Sequence, residues 1–140
     1  MLNDISELSI FKCLGTTIQD PMKVAMTFVN DDGSTVDVTY TDIFENTNRI
    51  AHAFVRNGIG KGDTFTLLMR NHPEFLYAMF AALSIGAVAV PIDPRSKGRK
   101  LSFQINNTKS KGIVAEDVFL DSLKEVEADI PDVPVVGFGL

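Results

Sequence analysis

The sequence predicts an α/β protein: a parallel sheet with helices on both faces, preceded by a β-hairpin. Three observations carry that prediction. Helix-like and strand-like segments alternate from Thr39 onward, joined by short connections. Two apolar runs, Thr64 to Met69 and Ala87 to Ile92, are of the kind found in parallel strands covered on both faces. Asn30-Asp31-Asp32-Gly33 supplies strong turn chemistry between two stretches rich in β-branched residues.

Taken in order, residues 4–14 place Ile5, Leu8, Ile10, Phe11 and Leu14 at roughly helical spacing, with Asp4 or Ser6 as cap. Gly15 to Pro21 reads as a loop. Lys23 to Val29 and Ser34 to Tyr40 form the arms of the hairpin. Thr39 and Asp42 have the spacing of a capping box, which predicts a helix striped by Ile43, Phe44, Ile50, Ala51, Phe54 and Val55. Gly58 sits where a left-handed cap belongs, and Gly60 to Asp63 leads tightly into the strand at Thr64. Pro73 suits the first turn of a helix over Glu74 to Ile85, because proline has no N–H to leave unpaired there. That helix is apolar nearly all round, which predicts deep packing, and Gly86 closes it. After the strand Ala87 to Ile92 come a helix over Gly98 to Asn107, a strand over Gly112 to Ala115 and a helix over Asp117 to Ala128. A last apolar stretch starts at Val135. The chain therefore divides into an N-terminal helix and loop (1–22), a hairpin (23–40) and an alternating α/β layer (41–140).

At 140 residues with 45% apolar and 22% charged content, the chain can bury one core without metals or disulfides. Cys13 stands alone, so no internal disulfide argues for secretion. No apolar run is long enough to span a bilayer and no signal peptide is evident, which predicts a cytoplasmic protein with no transmembrane segment. The net charge of −5 is unevenly spread. Residues 1–47 hold eight acids and two bases, residues 48–111 ten bases and three acids, and residues 112–140 seven acids and one base. Arg95, Lys97, Arg99, Lys100, Lys109 and Lys111 form a run with no acid among them. Such a field can attract phosphate-bearing ligands, although a solvated helix face accounts for it more simply. Phe103 is the single aromatic in that run, which argues against a nucleic-acid platform.

In an open α/β sheet, ligands bind beyond the carboxyl ends of the strands. Three such ends are Arg70-Asn71-His72, Asp93-Pro94-Arg95 and Glu116-Asp117. No phosphate-cradling glycine loop or dinucleotide fingerprint is complete, and Gly58 to Gly62 precedes a strand where such motifs follow one. His52 falls mid-helix as a structural residue, and His72 reads as a helix cap or a site residue. No His, Cys, Asp and Glu spacing suggests a metal site, and Cys13 lacks the company of a catalytic thiol. The residues alone thus give an α/β layer with a basic edge and no catalytic residue.

From about Ser34 to Val114 the chain resembles the N-terminal part of the AMP-forming acyl-CoA synthetases. These are the adenylate-forming ligases that include the coumarate and carnitine CoA ligases and luciferase. The matching stretches are Thr39 to Ile43, Asn48 to Ala51, Gly58 to Asp63, Arg70 to Phe75, Gly86 to Pro91 and Asp93 to Arg95, in order and at family-like spacing. The resemblance implies a protein that joins a carboxylic acid to ATP, with Mg2+, as an acyl-adenylate, and then passes the acyl group to coenzyme A. It implies that these residues are the opening stretch of a larger ligase, truncated at the C-terminal end and inactive alone, with the remainder of its own polypeptide as partner. It places Asp93, Pro94 and Arg95 near the path of the CoA pantetheine arm, with the neighbouring basic residues toward the CoA phosphates. Asp93 departs from the pattern, since many members carry asparagine or another small residue there. The competing reading makes Pro94 a turn former and the lysines solvated. Two other functions fit the same residues: a free-standing interaction or regulatory module that self-associates through exposed apolar surface, and the start of an amino-acid adenylation domain.

Overall fold

The computed structural model describes residues 18–138; the helix expected over 4–14 lies outside them. Strands β1 (Val24–Val29) and β2 (Thr35–Thr39) form the antiparallel hairpin. The Asn30 and Asp32 side chains both bond Ser34, which fixes the turn. Helix α1 (Tyr40–Arg56) starts at Thr39, whose hydroxyl receives the Asp42 N–H while the Asp42 carboxylate accepts the Thr39 N–H at 2.8 Å. This is the expected capping box, with two orphan donors satisfied reciprocally.

The layer then alternates: β3 (Thr64–Leu68), α2 (Pro73–Ile85), β4 (Val88–Pro91), α3 (Gly98–Thr108), β5 (Ile113–Glu116), α4 (Leu120–Lys124) and β6 (Val135–Phe138). Strand order is β4-β3-β5-β6, and every pair is parallel. The chain steps from β3 to β4 on one side, then crosses back to β5 on the other. The boundary between β3 and β5 is therefore the switch point of the sheet.

Alternation along β3 divides the core. Phe65, Leu67 and Met69 face α1 and α2, whereas Leu68 faces α3 and α4 together with Ile113 and Ala115 of β5. Helices thus cover both faces, as the apolar strands predict. Helix α2 is packed less deeply than its composition suggests. Tyr77, Ala78, Ala81 and Ala82 are buried, but Leu83 is exposed. The helix expected over Asp117 to Ala128 is broken into a 3₁₀ turn (Asp117–Phe119), the short α4 and a second 3₁₀ turn (Glu127–Asp129). Val118 points to solvent and drops out of the stripe, and Glu125, Glu127 and Asp129 oppose the helix dipole at the end where carboxylates are unfavourable.

Gly86 ends α2 in the left-handed region at φ 72°, and a Cβ there would lie 3.1 Å from the Lys61 Cγ. Replacing Gly86 with alanine is expected to lower stability by about 1–2 kcal/mol, read as a lower urea midpoint at unchanged slope.

Candidate functional site

The ends of β3, β4 and β5 lie side by side on one edge of the sheet. At the switch point, Glu116 closes β5 with a side chain only 1% exposed. It accepts three kinds of donor from Arg70 at the end of β3: the backbone N–H at 3.1 Å, Nε at 2.9 Å, and Nη2. The His72 Nε2 stands 3.8 Å from the same carboxylate. Burial pushes the Glu116 carboxyl up, but the Arg70 hydrogen bonds and charge outweigh it and hold the group below the ordinary glutamate range. The same pair raises the Arg70 guanidinium further.

His72 occupies the cap position of α2, yet its side chain makes no capping hydrogen bond. The imidazole lies toward Glu116, so the residue caps by position and not through its side chain. His52, read as structural from its mid-helix place, is exposed on α1. Arg70, Asn71 and His72, with Phe28 to Asp31 of the hairpin, line a cavity of about 240 Å³.

Asp93-Pro94-Arg95 leaves the end of β4 as a loop closed on itself. The Asp93 carboxylate accepts the Arg95 backbone N–H at 2.9 Å, its Nε at 3.1 Å and its Nη2 at 2.9 Å. The Ser96 N–H bonds the Asp93 carbonyl at 2.8 Å, completing the turn. Arg95 holds the Asp93 carboxyl down at about 2. The Arg95 side chain is 89% exposed, so the guanidinium is tethered at its inner edge and open to solvent. The segment forms a turn that holds the Arg95 guanidinium at the end of β4.

The basic run does not form one patch. Arg95, Lys97, Arg99 and Lys100 sit at the carboxyl edge, where α3 begins, whereas Lys109 and Lys111 follow α3 at the opposite edge. There Lys111 pairs with Asp63 at 2.7 Å and its backbone N–H bonds the Thr64 carbonyl. Only the first group lies at the carboxyl ends of the strands. The Arg70–Glu116 pair escaped the sequence reading as a pair. Its signal was a charge directly after each of two buried strands, but the order of β3 and β5 in the sheet is not written locally.

Three comparisons bear on this arrangement. The family model described as AMP-binding enzyme matches residues 17–137. The 4-hydroxybutyrate–CoA ligase 2 of Metallosphaera sedula is 35% identical over 92 residues, which is 66% of this chain and 17% of the ligase. The crotonobetaine/carnitine–CoA ligase of Salmonella typhimurium is 32% identical over 107 residues, 76% of this chain and 21% of that protein. Among solved structures, the N-terminal domain of FACL13 from Mycobacterium tuberculosis superposes with a TM-score of 0.67 at 29% identity, covering 73% of this chain and 27% of that one. The chain thus spans about a fifth of the length of the curated relatives it matches, 17% to 21%. The matched stretch holds the hairpin, the capping box of α1 and the three strand ends, and this chain belongs to the AMP-binding enzyme family.

Proposed function

We propose that this chain is the opening α/β layer of an AMP-forming acyl-CoA ligase. In that reaction a carboxylate oxygen attacks the α-phosphorus of ATP, pyrophosphate leaves, and an acyl-adenylate forms. The thiolate of CoA then attacks the acyl carbonyl and AMP departs with the bonding electrons. The observation that carries the reading is the family match over 17–137, supported by relatives that are themselves named CoA ligases. The catalytic groups would come from sequence beyond this layer, since these residues correspond to about a fifth of such a ligase. Among the described residues no three His, Cys, Asp or Glu side chains gather to hold a metal, so a magnesium ion accompanying ATP would draw its ligands from elsewhere. No described helix is long and apolar enough to cross a membrane, and a cytoplasmic setting belongs to the same proposal.

The role we assign within this layer falls on Arg95. Its tethered, exposed guanidinium at the end of β4 would bind a CoA phosphate, with Asp93 and Pro94 setting the turn that presents it. In a ligase carrying this layer, Arg95→Ala is expected to raise the KM for CoA about tenfold, which corresponds to ~1.4 kcal/mol. Acid-dependent exchange of pyrophosphate into ATP should not change, because CoA enters after adenylation. Loss of exchange with an unchanged KM for CoA would refute the role. Absence of any acid-dependent pyrophosphate release from the intact ligase would refute the reading itself.

A further inference from the structure

The loop after β4 engages its own cation. Pro94 restricts the chain between Asp93 and Arg95, and the Asp93 Oδ1 accepts the Arg95 backbone N–H at 2.9 Å, the hydrogen bond of an Asx turn. The same carboxylate also takes the Arg95 side chain in a two-pronged pair. Nε donates to Oδ1 at 3.1 Å and Nη2 to Oδ2 at 2.9 Å. Two parallel N–H bonds from one edge of a guanidinium are what grip two oxygens of a phosphate, and here that edge holds Asp93. A phosphate arriving at Arg95 must displace the carboxylate or bind on the Nη1 side with a full negative charge close by. Either course weakens its binding. Arg95 and Lys100 hold the Asp93 carboxyl down at about 2, so the charge is present at neutral pH. Among the described residues, Lys97, Arg99 and Lys100 at the same edge have no such ion-pair partner.

We propose that Asp93 sets the affinity for CoA by competing with a CoA phosphate for the Arg95 guanidinium, holding that affinity below what an unpaired Arg95 would give. The inference rests on the CoA role proposed for Arg95 and adds a residue that opposes it. The turn and the charge are separable at this position. Asparagine keeps a side-chain oxygen for the Arg95 N–H, and with it the Asx turn, but carries no charge and one carboxylate oxygen fewer. The turn also keeps the Ser96 N–H bond to the carbonyl of residue 93, which is backbone to backbone. A purely orienting Asp93 predicts the opposite sign, because an Arg95 released from its pair would then meet the phosphate less well.

Steady-state kinetics of the intact ligase with CoA varied test the competition. Asp93→Asn is expected to lower the KM for CoA about threefold, the scale of releasing an exposed ion pair. The change belongs in KM and not in kcat, because the CoA phosphates lie at the opposite end of the molecule from the reacting thiol. It should shrink as salt is raised, since it comes from charge. On an Arg95→Ala background the same substitution should give no such gain, there being no guanidinium left to contest. A KM for CoA that rises or stays put in Asp93→Asn overturns the proposal. So does a gain indifferent to salt, or one of equal size without Arg95, which would be a general effect of charge. An Arg95→Ala variant with an unmoved KM for CoA removes the CoA reading and this inference together. A raised KM in that variant, with no gain in Asp93→Asn, removes the inference alone.

Discussion

Replacing Arg70 with alanine is expected to destabilise the fold by about 3 kcal/mol, the lower end of the cost of breaking a buried ion pair. The magnitude follows from which partner is left behind. Glu116 is fully buried, so without the guanidinium its carboxylate keeps one hydrogen bond, from the backbone N–H of residue 70, with the His72 Nε2 3.8 Å away. The reverse substitution is milder. In Glu116→Gln the stranded group is Arg70, whose side chain is 49% exposed and can turn to water. About 1 kcal/mol is expected there, near the net worth of ordinary hydrogen bonds. Urea unfolding of the two variants checks the order, and equal costs would refute the asymmetry.

The pH dependence gives a second, independent reading of the same pair. The folded Glu116 carboxyl is held below its ordinary value, so its contribution is fully present above that value. It is lost as pH falls through the lower folded value. In Arg70→Ala the side-chain hydrogen bonds and the charge of Arg70 are gone, and only the backbone N–H of residue 70 and His72 still oppose desolvation, so the folded value moves up from its wild-type position. That variant should gain less stability from an ionised Glu116 than wild type does. The difference between wild type and variant should therefore shrink in acid, where both carry a neutral Glu116. A difference that stays constant with pH would mean the alanine acts through lost packing of the Arg70 stem.

The parts of the fold that were legible are those decided within a few residues. The Asn30 to Gly33 turn, the Thr39–Asp42 box and the left-handed Gly86 are each fixed by local hydrogen bonds or backbone sterics. The alternation of elements gave a parallel layer because short connections leave few other arrangements. What sequence did not show is non-local. The placement of β5 beside β3, with β4 on the far side, alone brings Glu116 to Arg70 over 46 positions of chain. The splitting of the basic run depends on α3 carrying Lys109 and Lys111 to the opposite edge of the sheet, which the run itself does not reveal. The broken helix after β5 had an apolar period good enough to suggest continuity. Only the outward turn of Val118 and the clustered acids at its end explain the break.

The largest single cost is expected at Phe65, where alanine should remove about 4 kcal/mol. Its ring is completely buried near the start of β3 and meets Phe54 of α1 with centroids 4.5 Å apart and planes tilted by 51°. Truncation removes both the buried area and an aromatic pair, and α1 and α2 cannot close the gap without leaving the sheet. Leu68→Ala, three residues on, should cost about 3 kcal/mol for a different reason, since Leu68 supports the α3 and α4 layer. The two side chains point to opposite faces of one strand and belong to separate clusters, so they share no core partner. Their costs should add to within ~0.5 kcal/mol, as for sites without shared partners, even though they are neighbours in sequence. Single-domain stabilities of about 5–15 kcal/mol leave the double variant near or beyond its unfolding threshold, so the additivity is best read in stabilising osmolyte. A Phe65→Ala cost under ~1 kcal/mol would mean that the α1–α2 layer is not packed on the sheet in solution. Marked non-additivity would mean that the two cores communicate through β3 itself.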